Sequence, residues 1–139
     1  MISGIGCDVV ELKRVADVYE KHGERFVHRI LTDEELPLFE KRKSLGSERM
    51  NAFLASRWAV KEAISKALGT GITAEVSFHA MEILHTASGA PMVLFKGNLK
   101  DRLQEEGIFV HVSITDEKSV VAAFAVAEKR FRKDEKWVP

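Results

Sequence analysis

Hydrophobic and polar positions follow two different periods along this chain, and each predicts a different kind of element. Residues 2–10 mix β-branched residues with glycines in an apolar run that ends at Asp8, which predicts a short buried strand. From Glu11 onward apolar residues recur with helical spacing as far as a His-Gly pair at 22–23, which is typical of a helix end. A second short helical segment is predicted over 24–31.

A long helical pattern dominates the middle of the chain, from about 48 to 68. Small residues recur in it every three or four positions and would allow another element to approach closely; they are Ala52, Ala55, Ala59, Ala63 and Ala67. Before this helix, Thr32 and Glu35 have the spacing of a capping box, which predicts a further helix. Pro37 is expected to kink or shorten that helix because it lacks a backbone N–H.

The second half of the chain is richer in strand-like patterns. The predicted elements are a hairpin of strands over 76–85 and 92–95, a helix over 98–106, a second hairpin of strands over 109–115 and 120–127, and a frayed tail over 129–139. Helices and hairpins are interspersed without regular βαβ alternation. The predicted fold class is therefore α+β, with antiparallel β-hairpins packed on a long helix.

Composition narrows the possible functions. A chain of 139 residues with 45% hydrophobic content suits one domain, 1–139. Because 21 basic and 21 acidic side chains cancel, no overall positive field favours nucleic acid. The single Cys7 forms no internal disulfide, and the chain shows neither a secretory leader nor an apolar run of roughly 20 residues that could span a membrane. We expect a cytoplasmic protein that binds neither nucleic acid nor membrane.

Three charged residues are candidates for phosphate chemistry. Glu62 and Lys66 share one helix face, where they form either an exposed ion pair worth roughly 0.3 kcal/mol or part of a site. Asp8 is either the N-cap of the first helix or a ligand of a divalent cation. Mg²⁺ needs only one or two carboxylates beside phosphate oxygens, so Asp8 and Glu62 would suffice, with Lys66 facing the same phosphates. The residues alone do not decide between these structural roles and a site for Mg²⁺ and phosphate.

Other chemical motifs are weaker. The Gly-Ile-Gly sequence at 4–6 lacks the third glycine of a dinucleotide fingerprint, so a Rossmann site is rejected. His111 alternates with Val110 and Val112 and is predicted on the opposite face of its strand. The other histidines lack the spacing of zinc ligands, and Ser113 has no identifiable partner for a hydrolytic triad.

Taken in order, five motifs resemble those of the holo-acyl-carrier-protein synthases, the short bacterial class of 4′-phosphopantetheinyl transferases. They are GIGCDVVELKRV at 4–15, FVHRILTDEE at 26–35, WAVKEAISKALGTG at 58–71, SGAP at 88–91 and HVSIT at 111–115. The resemblance runs nearly from end to end. Many members have His after HVSIT, where this chain has Asp116, whose role stays open.

The resemblance implies Mg²⁺-dependent transfer of 4′-phosphopantetheine from coenzyme A to a serine of apo acyl carrier protein, with release of 3′,5′-ADP, in fatty acid biosynthesis. It further implies a homotrimer with each active site between two subunits. The implied roles are Mg²⁺ binding for Asp8 and Glu62, catalysis for Glu62 and Lys66, coenzyme A binding for Ser65, Lys66, Gly69, Pro91 and His111, and carrier-protein binding for Arg14, Phe26 and Arg29.

Two alternatives to this activity are a Mg²⁺-dependent phosphodiester hydrolase and a non-catalytic module that binds carrier protein or nucleotide. A hydrolase acting on nucleic acid would need a basic stripe that the sequence lacks. The basic residues of the first two helices, Lys13, Arg14, Lys21, Arg25 and Arg29, are interleaved with acidic ones, so they form either a carrier-binding patch or an ordinary solvated face.

Overall fold

The structure is a computed structural model that describes residues 1–130; most of the predicted frayed tail, from residue 131 on, lies outside the described residues. The helices are α1 (Leu12–His22), α2 (Glu24–Ile30), α3 (Leu36–Lys43), α4 (Ser47–Ala67) and α5 (Gly97–Glu106), with a 3₁₀ turn at Phe78–Ala80. The strands are β1 (Ile2–Glu11), β2 (Met81–His85), β3 (Pro91–Phe95), β4 (Ile108–Asp116) and β5 (Val120–Lys129). No helix of the described part is long and apolar enough to cross a membrane.

The strands form two antiparallel sheets, which confirms the predicted α+β class. One sheet has the order β1-β5-β4, so the N-terminal strand pairs with the C-terminal one and the second hairpin completes the sheet. The other sheet is the β2-β3 hairpin, with Ile83 opposite Val93. Helix α4 lies across the inner face of the three-stranded sheet and forms the centre of the core.

The close contact between α4 and β1 depends on two glycines. A Cβ atom added at Gly4 would lie 1.9 Å from the Ala67 carbonyl oxygen, and one added at Gly6 would lie 2.1 Å from the Ala63 carbonyl oxygen. Backbone atoms cannot move aside as a flexible side chain can, so any larger residue would separate the strand from the helix. The alanine face predicted for the long helix is the face that accepts this strand.

The opposite face of the three-stranded sheet remains open in the single chain. Side chains that are directly opposite in neighbouring strands point to the same side, and Phe124 of the central strand lies between Cys7 and Ser113. Large apolar side chains of this face are exposed to between 46% and 72%; they are Ile5, Val9, Phe109 and Phe124. Exposed apolar patches of this kind are typical of surfaces that bind another molecule.

Two element boundaries differ from the sequence prediction. The strand expected from residue 76 begins only at Met81, because Ser77 accepts a hydrogen bond from the Ala80 amide and starts a 3₁₀ turn. Thr32 and Glu35 make the predicted reciprocal hydrogen bonds, but these close a turn, and helix α3 begins only at Leu36. Pro37 lies in the first turn of α3, where no backbone N–H is required, so the helix is not kinked but is shorter than a helix starting after Thr32 would be.

Candidate active site

Asp8 lies within β1 on the side that faces α4. Gly4 is opposite Ala67 and Gly6 is opposite Ala63. Two residues of the strand therefore span about the same length, roughly 6 Å, as four residues of the helix. Continuing this register places Asp8 beside the turn of α4 that ends at Glu62. The N-cap residue of α1 is Glu11, not Asp8, so the capping interpretation of Asp8 is wrong.

Lys66 reaches from α4 to β1. Its Nζ donates a hydrogen bond to Asp8 Oδ1 at 3.2 Å and another to the Cys7 carbonyl at 3.0 Å. Within residues 1–130 no ion pair joins Lys66 to Glu62, so the simple helix-surface pair is wrong. Lys66 instead connects the opening motif to the long helix, with its side chain half exposed.

Glu62 lines a cavity of about 520 Å³ between α1, α2 and α4. Its residue is half-buried, and within the described residues its carboxylate makes no hydrogen bond or ion pair. The cavity wall is mostly apolar with a basic rim; it comprises Val18, His22, Arg25, Phe26, Arg29, Ile30, Trp58, Ile72 and Phe78. A carboxylate at the edge of such a cavity is available to a ligand.

The donor set formed by Asp8 and Glu62 fits Mg²⁺. No cluster of three or more His, Cys, Asp or Glu suitable for a metal occurs within residues 1–130, which disfavours a cage built only from protein ligands. Mg²⁺ usually keeps several waters and is bound through one or two carboxylates together with substrate phosphates. Asp8 on β1 and Glu62 on α4 offer two carboxylates of that kind, and Lys66, which is hydrogen-bonded to Asp8, adds a cation.

The C-terminal end of α4 supplies the next two predicted residues. Ser65 is buried, and its hydroxyl donates to the Glu62 carbonyl at 2.7 Å. Gly69 follows the helix with φ +79°, and no atom lies within 4 Å of the position a Cβ would take. The amides of Thr70 and Gly71 both donate to the Ser65 carbonyl, so the loop closes tightly over the helix end.

The residues predicted to bind the carrier protein lie near Trp58 and the cavity that it lines. The Arg14 guanidinium lies 4.8 Å from the centre of the Trp58 ring, and Phe26 packs edge-on against that ring at 5.4 Å. Phe26 is only 6% exposed, so in the free chain it is a wall of the cavity rather than a surface contact. Arg29 is exposed at the rim of the same cavity.

Pro91 and His111 lie elsewhere. Pro91 lines a second cleft of about 380 Å³, which the Glu62 cavity does not share. His111 is on the open face of the three-stranded sheet, as its alternation predicted, and its Nε2 lies 2.8 Å from Glu128 Oε2. The single chain therefore does not bring these two residues together with Asp8, Glu62 and Lys66.

The second cleft contains cationic residues that the sequence analysis missed, namely Arg42, Arg49 and Arg57, together with His85. Arg49 and Arg57 are eight positions apart on α4, which puts them about 80° apart around the helix axis and was the available signal. Burial lowers the pKa of Arg57 to about 10, with Glu35 opposing and Arg42 adding to the effect. Burial lowers the pKa of His85, as do Arg57 and Arg42.

Asp116 is a carboxylate on the wall of this cationic cleft. Three guanidinium groups in one cleft are suited to a phosphate, which they bind as charged, directional donors. Arg57 and Glu62 are five positions apart on α4, so their side chains lie about 140° apart around the helix axis. The cleft and the Glu62 cavity consequently open on different sides of the helix.

Known proteins share both the sequence pattern and the fold of this chain. The family model described as "4'-phosphopantetheinyl transferase superfamily" matches residues 4–125. The chain belongs to this superfamily. A holo-[acyl-carrier-protein] synthase of Variovorax paradoxus is 40% identical over 129 residues, covering 93% of this chain and 99% of its relative.

Solved structures of the same class share the fold. The holo-[acyl-carrier-protein] synthase of Neisseria meningitidis is 45% identical with a TM-score of 0.86, covering 93% of this chain and all (100%) of that one. The holo-(acyl-carrier-protein) synthase of Bacillus anthracis, solved in complex with CoA (3',5'-ADP), is 37% identical with a TM-score of 0.77, covering 94% and 99% of the two chains. The resemblance found in the motifs and the predicted transferase fold are thus confirmed.

Proposed function

We propose that this protein transfers the 4′-phosphopantetheine group of coenzyme A to a serine of apo acyl carrier protein, releasing 3′,5′-ADP, in cytoplasmic fatty acid biosynthesis. The observation that carries the proposal is the packing of α4 on β1, which sets Lys66 against Asp8 and directs Glu62 into a neighbouring cavity. The Bacillus anthracis relative, whose structure contains CoA (3',5'-ADP), supports the choice of donor.

We assign Mg²⁺ to Asp8 and Glu62, where it would neutralise the negative charge of the pyrophosphate. Lys66 holds a second positive charge next to Asp8 and would bind the same pyrophosphate. The open backbone after α4, at Gly69, leaves room for the donor to pass close to the helix end. These residues therefore orient the pyrophosphate and stabilise the charge that grows on it.

The reaction is an in-line displacement at phosphorus. The serine oxygen of the carrier bonds to the phosphorus that bears the pantetheine arm, and the bond from this phosphorus to the bridging oxygen breaks, so that 3′,5′-ADP leaves. Glu62, whose carboxylate has no hydrogen-bond or ion-pair partner within residues 1–130, would accept the serine proton directly or through water. Positioning by Asp8, Glu62 and Lys66 supplies most of the rate enhancement.

The donor site is proposed to lie between two subunits of a homotrimer. Pro91 and the arginine cleft lie apart from Glu62 in the single chain, and His111 is on the open sheet face. Association through that apolar face would allow one subunit to present its cleft to the Asp8, Glu62 and Lys66 of its neighbour. The three guanidinium groups would then bind a phosphate at the adenosine end of coenzyme A.

The acceptor is proposed to dock at the rim of the Glu62 cavity, where Arg14, Arg25 and Arg29 face solvent. Carrier proteins that expose acidic side chains would be attracted to this rim. We expect Arg14→Glu to raise the KM for carrier protein about tenfold, because it replaces attraction by repulsion, while the KM for coenzyme A stays within twofold. Steady-state kinetics with each substrate varied in turn measures both values.

The matched control for that variant is Lys100→Glu, which makes the same charge change on exposed α5. It is expected to leave both KM values unchanged. An equal rise in the two KM values for Arg14→Glu would contradict the assignment of this rim to the carrier.

The nucleotide product tests the proposed reaction. Chromatography of a mixture of protein, coenzyme A and apo carrier protein is expected to show 3′,5′-ADP only when Mg²⁺ and carrier are both present. Nucleotide release without carrier would favour a phosphodiester hydrolase. Binding of coenzyme A without any release would favour a non-catalytic module.

A further inference from the structure

A lysine and a glutamate are buried together beneath the proposed acceptor site. Lys61 is completely inaccessible to solvent, and its Nζ donates to Glu35 Oε1 at 2.6 Å and to the Ile30 carbonyl at 2.7 Å. Glu35 is 4% exposed. Neither side chain reaches the Glu62 cavity, so the proposed reaction has no direct use for them.

The Glu35 carboxylate joins three parts of the fold. Its Oε1 accepts a hydrogen bond from the Thr32 amide at 2.9 Å, and its Oε2 accepts one from the Ile83 amide of β2 at 3.1 Å. The Arg57 Nε lies 3.9 Å from the same Oε2. One carboxylate thus connects the segment before α3, the long helix α4 and the β2-β3 hairpin.

Through Lys61 this network also holds the end of α2. Ile30 is the last residue of α2, and its carbonyl is one of the terminal groups that the helix itself leaves without a partner. Helix α2 carries Phe26 and Arg29, which form the cavity wall and rim facing Glu62. Glu62 directly follows Lys61 in α4. Lys61 therefore holds helix α2, which forms one wall of the cavity, while the adjacent Glu62 provides the carboxylate that this wall faces.

Stability alone does not explain this pair. Removing two charges from water is costly, and apolar residues of similar volume often stabilise such a position equally well or better. Burial lowers the pKa of Lys61, and the neighbouring Glu35 opposes that shift. Beyond packing, the pair fixes the position of particular backbone groups, because each of its hydrogen bonds is directional.

We propose that Lys61 is a positioning residue which, through Glu35 and the Ile30 carbonyl, sets the distance between the carrier-binding helix α2 and Glu62. This inference rests on the proposed function. It separates the acceptor from the donor: loss of the pair would displace Phe26 and Arg29, whereas Asp8 and Lys66 belong to the contact between β1 and α4.

The test compares Lys61→Met with the double variant Lys61→Met/Glu35→Gln in the full-length protein. The single variant leaves a buried carboxylate without its cation, and we expect a lower Tm and about a tenfold higher KM for carrier protein. The double variant removes both charges, so its Tm is expected to recover most of the loss while the KM for carrier protein stays high. The KM for coenzyme A is expected to stay within twofold for Lys61→Met, which keeps the Glu35 carboxylate beside Arg57 of the arginine cleft.

Leu103→Ala is the control for stability by itself. Leu103 is a buried residue of α5, so its truncation lowers the Tm without touching α2, and neither KM is expected to change. A double variant with a normal KM for carrier protein would show that the pair only stabilises the fold and would overturn the inference, as would equal rises in both KM values for Lys61→Met. Absence of transfer by the wild-type protein would overturn the proposed function itself and this inference with it.

Discussion

Replacing Glu62 with Gln is expected to lower kcat for carrier modification at least about a thousandfold, because the variant lacks the negative charge proposed to bind Mg²⁺. Gln keeps the size of the side chain and the half-buried environment but cannot bind Mg²⁺ as a carboxylate or accept the serine proton. The rate of 3′,5′-ADP release at saturating substrates measures the effect. The Tm is expected to stay near that of the wild type, since the Glu62 carboxylate makes no hydrogen bond within residues 1–130.

Glu105→Gln provides the matched control for this variant. Glu105 is exposed on α5, so the same chemical change there is expected to leave kcat unaltered. A Glu62→Gln protein that retained a tenth or more of the wild-type kcat would contradict the assigned role of Glu62.

Phe124→Glu is expected to dissociate the proposed trimer and to reduce activity about a hundredfold. Phe124 is at the centre of the open sheet face, 49% exposed in the single chain and flanked by Cys7 and Ser113. A carboxylate buried there without a partner would oppose association, whereas an exposed one in the separated chain costs little. Sedimentation equilibrium measures the assembly, and assays on the same samples measure the activity.

The conservative variant Phe124→Leu separates association from local structure. It keeps an apolar side chain on the face, and we expect it to retain both the mass of three chains and most of the activity. Full activity in a Phe124→Glu protein that sediments as a single chain would contradict a donor site shared between subunits.

Local pattern predicted the elements well, because their boundaries depend on neighbouring residues. Helix α4 begins and ends within one residue of the predicted range, and both hairpins form. The prediction of a strand over residues 76–80 was wrong because the Ser77 side chain starts a 3₁₀ turn. The spacing of apolar residues alone does not reveal such a turn.

The candidate site was predictable only in part, because its residues come from distant parts of the chain. Spacing alone put Glu62 and Lys66 on one helix face, yet Lys66 pairs with Asp8, which is 58 positions away. That pairing depends on the close approach of Gly4 and Gly6 to α4, which sequence pattern does not specify.

The buried charges were not predictable from pattern, because charged residues on a helix are normally assigned to solvent. Lys61 and Arg57, which the sequence analysis did not single out, are both buried beside Glu35. The arginine cleft was missed for the same reason. It also depends on the fold, because Arg42 of α3 and residues of the β2-β3 hairpin complete its lining.

The most direct test of the proposed function is the intact mass of an apo acyl carrier protein after incubation with this protein, coenzyme A and Mg²⁺. The proposal predicts a mass gain of one phosphopantetheine group on the carrier, absent when Mg²⁺ is chelated and absent with Glu62→Gln. An unchanged carrier mass with every carrier protein tried, while coenzyme A still binds, would contradict the proposed transfer.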